Sequence, residues 1–161
     1  MIKKMFLACA FAISALGASA ALPSVTLTDI NGNSVNTAEL SNDGKPMVIS
    51  FFATWCKPCQ RELKAIHEVY DDWQDETGVK VIAVSIDEAQ NAQKVKPLVE
   101  GKGWDYEVLL DTNSEFKRQL GVNDIPPVFV IDGEGNIVWN HQGYVDGGEE
   151  DILEAVKKAM K

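Results

Sequence analysis

The chain has 161 residues, 45% of them hydrophobic, and a formal net charge of −9 at pH 7. This length and composition predict one globular domain with a core of ordinary size. The acidic balance argues against nucleic acid and anionic lipid as partners, because both are polyanions.

Residues 1–20 have the three parts of a secretory signal. Lys3 and Lys4 give a positive start, residues 5–16 form an apolar run, and the small residues GASA end at Ala20. We therefore predict cleavage after Ala20 and a periplasmic or otherwise exported protein.

Cleavage there leaves residues 21–161 as one domain, and the loss of two lysines takes its net charge from −9 to −11. The apolar run is shorter than the roughly 20 apolar residues that a spanning helix needs. We expect no stable membrane insertion after cleavage. A membrane anchor, or a lipid anchor on Cys9, is the alternative.

Hydrophobic periodicity predicts alternating strands and helices after a hairpin around Asn31 and Gly32. The predicted strands are 47–53, 79–86, 108–110, 128–131 and 137–140, and the predicted helices are 61–73, 88–102, 114–120 and 149–160. Strand–helix–strand order indicates parallel pairing, whereas the turn at 132–136 indicates an antiparallel hairpin. The expected architecture is one mixed sheet with helices on both faces.

Two details of these helices are left open by the sequence. Pro97 must start, kink or break the helix over 88–102. Asn113 or Ser114 is expected to cap the short helix that ends at Leu120.

Cys56 and Cys59 lie where the strand 47–53 gives way to a helix, in the sequence WCKPC. A disulfide across so short a loop constrains the unfolded chain very little, which favours redox work over a structural role. Cys56 is expected at the helix N-terminus, where unpaired N–H groups and the helix dipole favour a thiolate.

The neighbours of Cys56 fit the same role. Lys57 adds a positive charge, and Pro58 suits the first turn of a helix. Cys59 lies one turn later, where it can attack a mixed disulfide. A zinc site is the alternative, but it needs two further ligands, and only His67 and His141 remain. We predict no metal and no cofactor.

The segment 51–59, with the sequence FFATWCKPC, resembles the active-site segment of the thioredoxin superfamily. Together with the N-terminal hairpin, the stretch at 87–111 and the run 121–132, the chain resembles its exported TlpA/ResA-like branch of thiol–disulfide oxidoreductases. The resemblance extends from about residue 22 to the end. It implies an α/β thioredoxin fold: a mixed central sheet flanked by helices, an N-terminal hairpin and an inserted strand/helix segment.

The resemblance also implies roles for single residues. Cys56 would be the nucleophile and Cys59 the resolving cysteine of a dithiol–disulfide cycle. Pro126 matches the cis-proline of the family, and Ile125 before it would line the partner groove; a turn proline is the alternative. The implied partner-binding residues are Trp55, Lys57, Pro58, Ile125 and Pro126.

Glu62 matches a glutamate of the ResA-like branch that would tune the cysteines or relay protons, although a solvated helix charge fits equally. Two positions depart from the family pattern. Ser50 stands where many thioredoxins have a buried aspartate, so Glu62 or water must accept the proton. Pro127 replaces the usual threonine after the cis-proline and removes a backbone donor.

Three functional classes follow. The first is an exported reductase that acts on disulfides of client proteins and takes electrons from a membrane donor. The second is a peroxiredoxin-like antioxidant enzyme, whose cysteine stands in a Pro-x-x-x-Thr-x-x-Cys context; here Thr54 is only two residues before Cys56. The third is a non-enzymatic metal-handling or binding module, whose copper-carrying relatives use Cys-x-x-x-Cys. The reductase fits best.

Overall fold

The computed structural model describes residues 20–160, so the predicted signal segment lies outside the described residues except for Ala20. The strands are β1 (Ala20–Ala21), β2 (Thr26–Asp29), β3 (Ser34–Asn36), β4 (Met47–Phe52), β5 (Lys80–Ser85), β6 (Glu107–Leu110), β7 (Pro127–Ile131) and β8 (Asn136–Gln142). The helices are α1 (Lys57–Thr77), α2 (Val95–Lys102), α3 (Glu115–Gln119) and α4 (Glu149–Ala159), with 3-10 turns at Thr37–Glu39 and Ala92–Lys94.

The strands within residues 20–160 form one eight-stranded sheet in the order β1-β8-β7-β4-β5-β6-β2-β3. β4, β5 and β6 are parallel, because α1 and the segment that contains α2 carry the chain back to the same end of the sheet. β7 pairs antiparallel with β4, and β2–β3 and β7–β8 are hairpins. The predicted α/β thioredoxin fold, with its mixed sheet and N-terminal hairpin, is confirmed.

Side chains of β4 alternate between the two faces of the sheet. The hydroxyl of Ser50 bonds to Glu62 on α1, whereas the ring of the next residue, Phe51, packs against Phe116 of α3 with 5.5 Å between ring centroids. Helices therefore cover both faces. This explains why all six residues of β4 are buried and why its sequence shows no polar alternation.

The 21 residues of α1 extend beyond the periodic segment 61–73 at both ends. Its buried side chains recur at helical spacing: Cys59, Glu62, Leu63, Ile66, Tyr70 and Trp73. The helix ends at Gly78, whose φ of 67° is left-handed. Trp73 and Trp104 are core residues.

The predicted helix over 88–102 is wrong in its first half. Residues 86–91 are irregular or turn, and α2 begins only at Val95 after the 3-10 turn. Pro97 is the third residue of α2, where N–H groups have no partner within the helix. The proline is therefore accommodated in the first turn instead of interrupting a longer helix.

The predicted cap of α3 is confirmed at the position of Ser114, but it makes no side-chain hydrogen bond. Ser114 is the N-cap residue, but neither it nor Asn113 caps the helix through its side chain. The carboxylate of Asp111 instead accepts the backbone N–H groups of residues 115–117 at 2.8, 3.3 and 2.9 Å. Asp111 follows β6 directly, so one buried acid joins the sheet to the first turn of α3.

An aspartate side chain stabilises the turn of each hairpin in the same way. Asp29 Oδ1 accepts the N–H groups of residues 31 and 33 at 2.8 and 2.9 Å, and Asp132 Oδ1 accepts those of residues 134 and 136, both at 2.9 Å. Gly32 and Gly135 both have a φ of 88°, which residues with a side chain rarely adopt. The first hairpin then joins the sheet through β6.

Candidate active site

Cys56 is the N-cap residue of α1. Its backbone is extended, with φ of −89° and ψ of 100°, and its Sγ accepts a hydrogen bond from the N–H of Cys59 at 3.3 Å. Pro58 lies in the first turn, where a missing N–H breaks no helical hydrogen bond. The helix N-terminus therefore favours a thiolate at Cys56 when the pair is reduced.

Cys56 and Cys59 are joined by a disulfide, with their Cα atoms 5.4 Å apart. Cys56 is 6% exposed and Cys59 is fully buried. The difference arises because Cys59 lies one turn into α1, on the face that packs on the sheet. A partner that approaches from solvent can reach only Cys56.

A groove of about 470 Å³ opens beside Cys56. It is lined by most of the predicted partner-binding residues, namely Trp55, Lys57, Pro58 and Ile125. Trp55 is 63% exposed, so its ring presents apolar surface to solvent instead of packing in the core. The Ile125–Pro126 peptide bond is cis, and Pro126 is buried.

Glu62 is buried in the interior and is only 4% exposed, so the solvated alternative is wrong. Its Oε1 accepts a hydrogen bond from the Ser50 hydroxyl at 2.9 Å. Burial raises the pKa of Glu62 from 4.5 to about 7, and the Ser50 bond opposes this rise. The carboxyl group can therefore gain or lose a proton near neutral pH.

Glu62 lines a separate small cavity instead of the groove beside Cys56. This cavity of about 10 Å³ has roughly the volume of one water molecule, and His141, Tyr144 and Glu149 also line it. Glu149 Oε2 is buried there without a hydrogen-bond partner. The sequence had given no reason to place His141 near Glu62.

Asp87 is a site residue that the sequence analysis missed. It is 1% exposed, and its Oδ2 and Oδ1 accept the N–H and hydroxyl of Thr54 at 2.8 and 2.6 Å. The hydroxyl of Ser85 also donates to Asp87, at 2.8 Å. Asp87 thus ties the end of β5 to the residue two positions before Cys56. Its place directly after a buried strand was the available signal.

Residues 18–140, which include both cysteines, match the model described as the AhpC/TSA family. The chain belongs to the AhpC/TSA family.

Within the AhpC/TSA family, the chain is similar to proteins named thiol-disulfide oxidoreductase ResA. It is 34% identical to a thiol-disulfide oxidoreductase ResA from Bacillus thuringiensis (strain Al Hakam) over 116 residues, which are 72% of this chain and 64% of that relative. The corresponding protein from B. thuringiensis subsp. konkukian is 31% identical over 136 residues, 84% of this chain and 75% of the relative. The chain thus spans slightly less than two thirds of the first relative's length and three quarters of the second's.

Among solved structures, this family member is similar to a thioredoxin-like protein from Porphyromonas gingivalis. The two are 63% identical with a TM-score of 0.78, and the match covers 86% of this chain and 91% of the other. Together these relatives confirm the predicted TlpA/ResA-like branch of the thioredoxin superfamily.

The groups at this site that can exchange with other thiols and disulfides are Cys56 and Cys59. Within residues 20–160, no group of three or more His, Cys, Asp or Glu side chains is arranged to hold a metal ion. His67 packs edge-on against Tyr106, at 6.1 Å between ring centroids, and does not line the groove.

None of the described helices is long and apolar enough to cross a membrane.

Proposed function

We propose that the protein is an exported reductase of disulfides in client proteins and works through a Cys56/Cys59 dithiol–disulfide cycle. The observation that carries the proposal is the position of Cys56: at the N-terminus of α1, disulfide-bonded to a fully buried Cys59 and open to a groove. Only one of the two sulfurs can be reached from outside, which fits an ordered two-step exchange.

In the first step, the Cys56 thiolate attacks one sulfur of a client disulfide. An S–S bond forms between Cys56 and the client, the client S–S bond breaks, and the client thiolate that leaves takes up a proton. In the second step, the Cys59 thiolate attacks Cys56 Sγ and expels the other client sulfur, which is also protonated. The client gains two electrons and two protons, and the Cys56–Cys59 disulfide forms.

Glu62 is the proposed proton acceptor when the Cys59 thiol ionises. It lies one turn beyond Cys59 on the same face of α1, and its pKa of about 7 suits proton exchange near neutrality. Ser50 cannot serve as this base, but its hydroxyl holds the Glu62 carboxyl in place.

Export and the electron donor belong to the same proposal. The composition of residues 1–20 supports export, and a cycle that ends oxidised needs a donor, for which we propose a membrane protein. The mature chain would then contribute to redox homeostasis outside the cytoplasm. Mass spectrometry of the exported protein tests the cleavage after Ala20, which would divide the two residues of β1.

The reduction potential of the Cys56–Cys59 pair tests the direction of electron flow. We expect a value at or below about −220 mV, on the scale where thioredoxin lies near −270 mV and the oxidant DsbA near −120 mV. A value close to that of DsbA would mean that the protein inserts disulfides. Consumption of peroxide, measured with the same reduced protein, separates the reductase from the peroxiredoxin-like antioxidant alternative.

A further inference from the structure

The groove beside Cys56 differs in charge from the rest of the protein. Its lining includes two lysines and one acid, Lys57, Lys117 and Asp124, whereas the whole chain has a net charge of −9. The N-terminus of α1, which opens at Cys56, adds a partial positive charge. The groove is therefore a local positive site on an acidic molecule.

The two lysines reach the groove from different elements. Lys57 is the first residue of α1, and Lys117 belongs to α3, which Asp111 fixes to the end of β6. Neither lysine forms an ion pair with any side chain among residues 20–160. Four other lysines do form such pairs: Lys64, Lys80, Lys157 and Lys158. The ammonium groups of Lys57 and Lys117 are thus available to a bound partner.

Apolar surface accompanies these charges. Trp55, Ile86 and Ile125 line the same groove, and Trp55 exposes more than half of its surface. A partner segment that combines acidic and apolar side chains would match both features. A basic segment would place its charges against two lysines and a helix N-terminus.

We propose that the groove selects client segments in which acidic and apolar side chains flank the reactive cysteine. This inference rests on the proposed function, because it assumes that the groove receives the client. Lys57 is exposed and Lys117 is half-buried, so contacts with their charges are modest, and each is expected to change the rate about two- to fivefold. They act on the encounter between the two molecules, so salt weakens them.

The net negative charge of the chain does not cancel this preference. At about 0.1 M salt, charges farther away than roughly 10 Å are largely screened. A client residue in the groove therefore responds to Lys57 and Lys117 more than to acids on distant surfaces. The preference is local, and it should disappear when these two lysines are neutralised.

The test uses three peptides that share one intramolecular disulfide and a leucine beside it, flanked by glutamates, glutamines or lysines. The reduced full-length protein reduces each peptide at about 0.1 M salt. Each rate is divided by the rate with dithiothreitol, which removes differences in the intrinsic reactivity of the peptides. The readout is the ratio of the normalised rates for the acidic and basic peptides.

We expect a ratio of about four to twenty for the unchanged protein, falling toward one at about 1 M salt. Lys117→Gln should lower the ratio about two- to fivefold. Lys57→Gln should do the same, because its effect on Cys56 reactivity cancels in the ratio. Lys102→Gln, an equal change of charge in the last turn of α2 and outside the groove, should leave the ratio unchanged.

The outcomes separate the two proposals. If the protein reduces none of the three peptides, the proposed function itself fails. If it reduces the glutamine peptide but the ratio is one or below, only the charge preference is overturned. The charge preference would also be overturned if Lys102→Gln lowered the ratio as much as Lys117→Gln, because the net charge of the protein and not the groove would then set the ratio.

Discussion

The hydroxyl of Ser50 in β4 donates a hydrogen bond of 2.9 Å to the carboxyl group of Glu62 in α1, and both residues are buried. By resemblance, Ser50 occupies the position at which many thioredoxins carry a buried aspartate. In this protein the buried acid comes from the helix, one turn after Cys59, and the strand supplies only a hydroxyl.

Replacement of Glu62 by glutamine should remove a pH dependence of stability. The folded state raises the pKa of Glu62 from 4.5 to about 7, so between these values it holds a proton that the unfolded chain releases. The free energy of unfolding therefore falls through this window as pH rises, by about 3 kcal/mol in total. Urea unfolding of the oxidised protein from pH 4 to 8 should show Glu62→Gln gaining on the unchanged protein as pH increases.

Glu68→Gln is the matched control for this measurement. Glu68 lies on the same helix, but its side chain is 60% exposed and pairs with Lys64. Its replacement should leave the pH profile of unfolding nearly unchanged. Equal profiles for Glu62→Gln and Glu68→Gln would contradict the raised pKa of Glu62.

Replacement of Cys59 by serine should trap clients as mixed disulfides. Cys56 can still attack, but the buried thiol that releases the client is gone. Replacement of Cys56 by serine should abolish exchange, because Cys59 is fully buried and cannot be reached. Non-reducing electrophoresis with a disulfide-bonded client detects the adducts. Capture by Cys56→Ser but not by Cys59→Ser would reverse the two roles.

Replacement of Asp87 by asparagine should destabilise the segment that leads to Cys56. Asparagine has one acceptor atom where the carboxylate has two, so in either orientation at least one hydrogen bond from Thr54 or Ser85 loses its acceptor. A buried donor left unpaired costs about 1–3 kcal/mol. Thr54→Val removes only the hydroxyl bond and should cost less.

Urea unfolding and the rate of disulfide exchange measure this effect, with Glu88→Gln as the exposed control next to Asp87. We expect the free energy of unfolding and the exchange rate to be highest for the control, lower for Thr54→Val and lowest for Asp87→Asn. If Asp87→Asn were as stable and as fast as the control, Asp87 would have no positioning role.

Replacement of Asp111 by alanine should weaken α3. This change removes the acceptor of three backbone N–H groups, and we expect a loss of about 1–3 kcal/mol in the free energy of unfolding. Asn113→Ala, the control at the position that the sequence suggested for the cap, should change stability by less than about 0.5 kcal/mol. The reverse order of the two variants would restore the sequence-based interpretation.

The local features of this protein were predictable from its sequence. The strand that precedes Cys56, the helix that begins after it and the turn at Gly32 each depend on residues close together in the chain. Apolar runs fix burial, a proline after the first cysteine suits a first turn, and asparagine followed by glycine favours a tight hairpin. The redox pair follows from the same short stretch, so motif and element were found together.

Other features were decided only by the tertiary structure. The residues next to Glu62 in the sequence do not show whether its side chain faces solvent or the interior. Its burial depends on how α1 packs against β4 and α4. Asp87 and Asp111 follow two neighbouring parallel strands, but their hydrogen bonds go to chain segments 33 residues earlier and four to six residues later. The sequence determined which groups could carry charge and thiol chemistry. The packing of distant elements decided which of those groups lost water, and for Glu62 this desolvation raises the pKa of the carboxyl group.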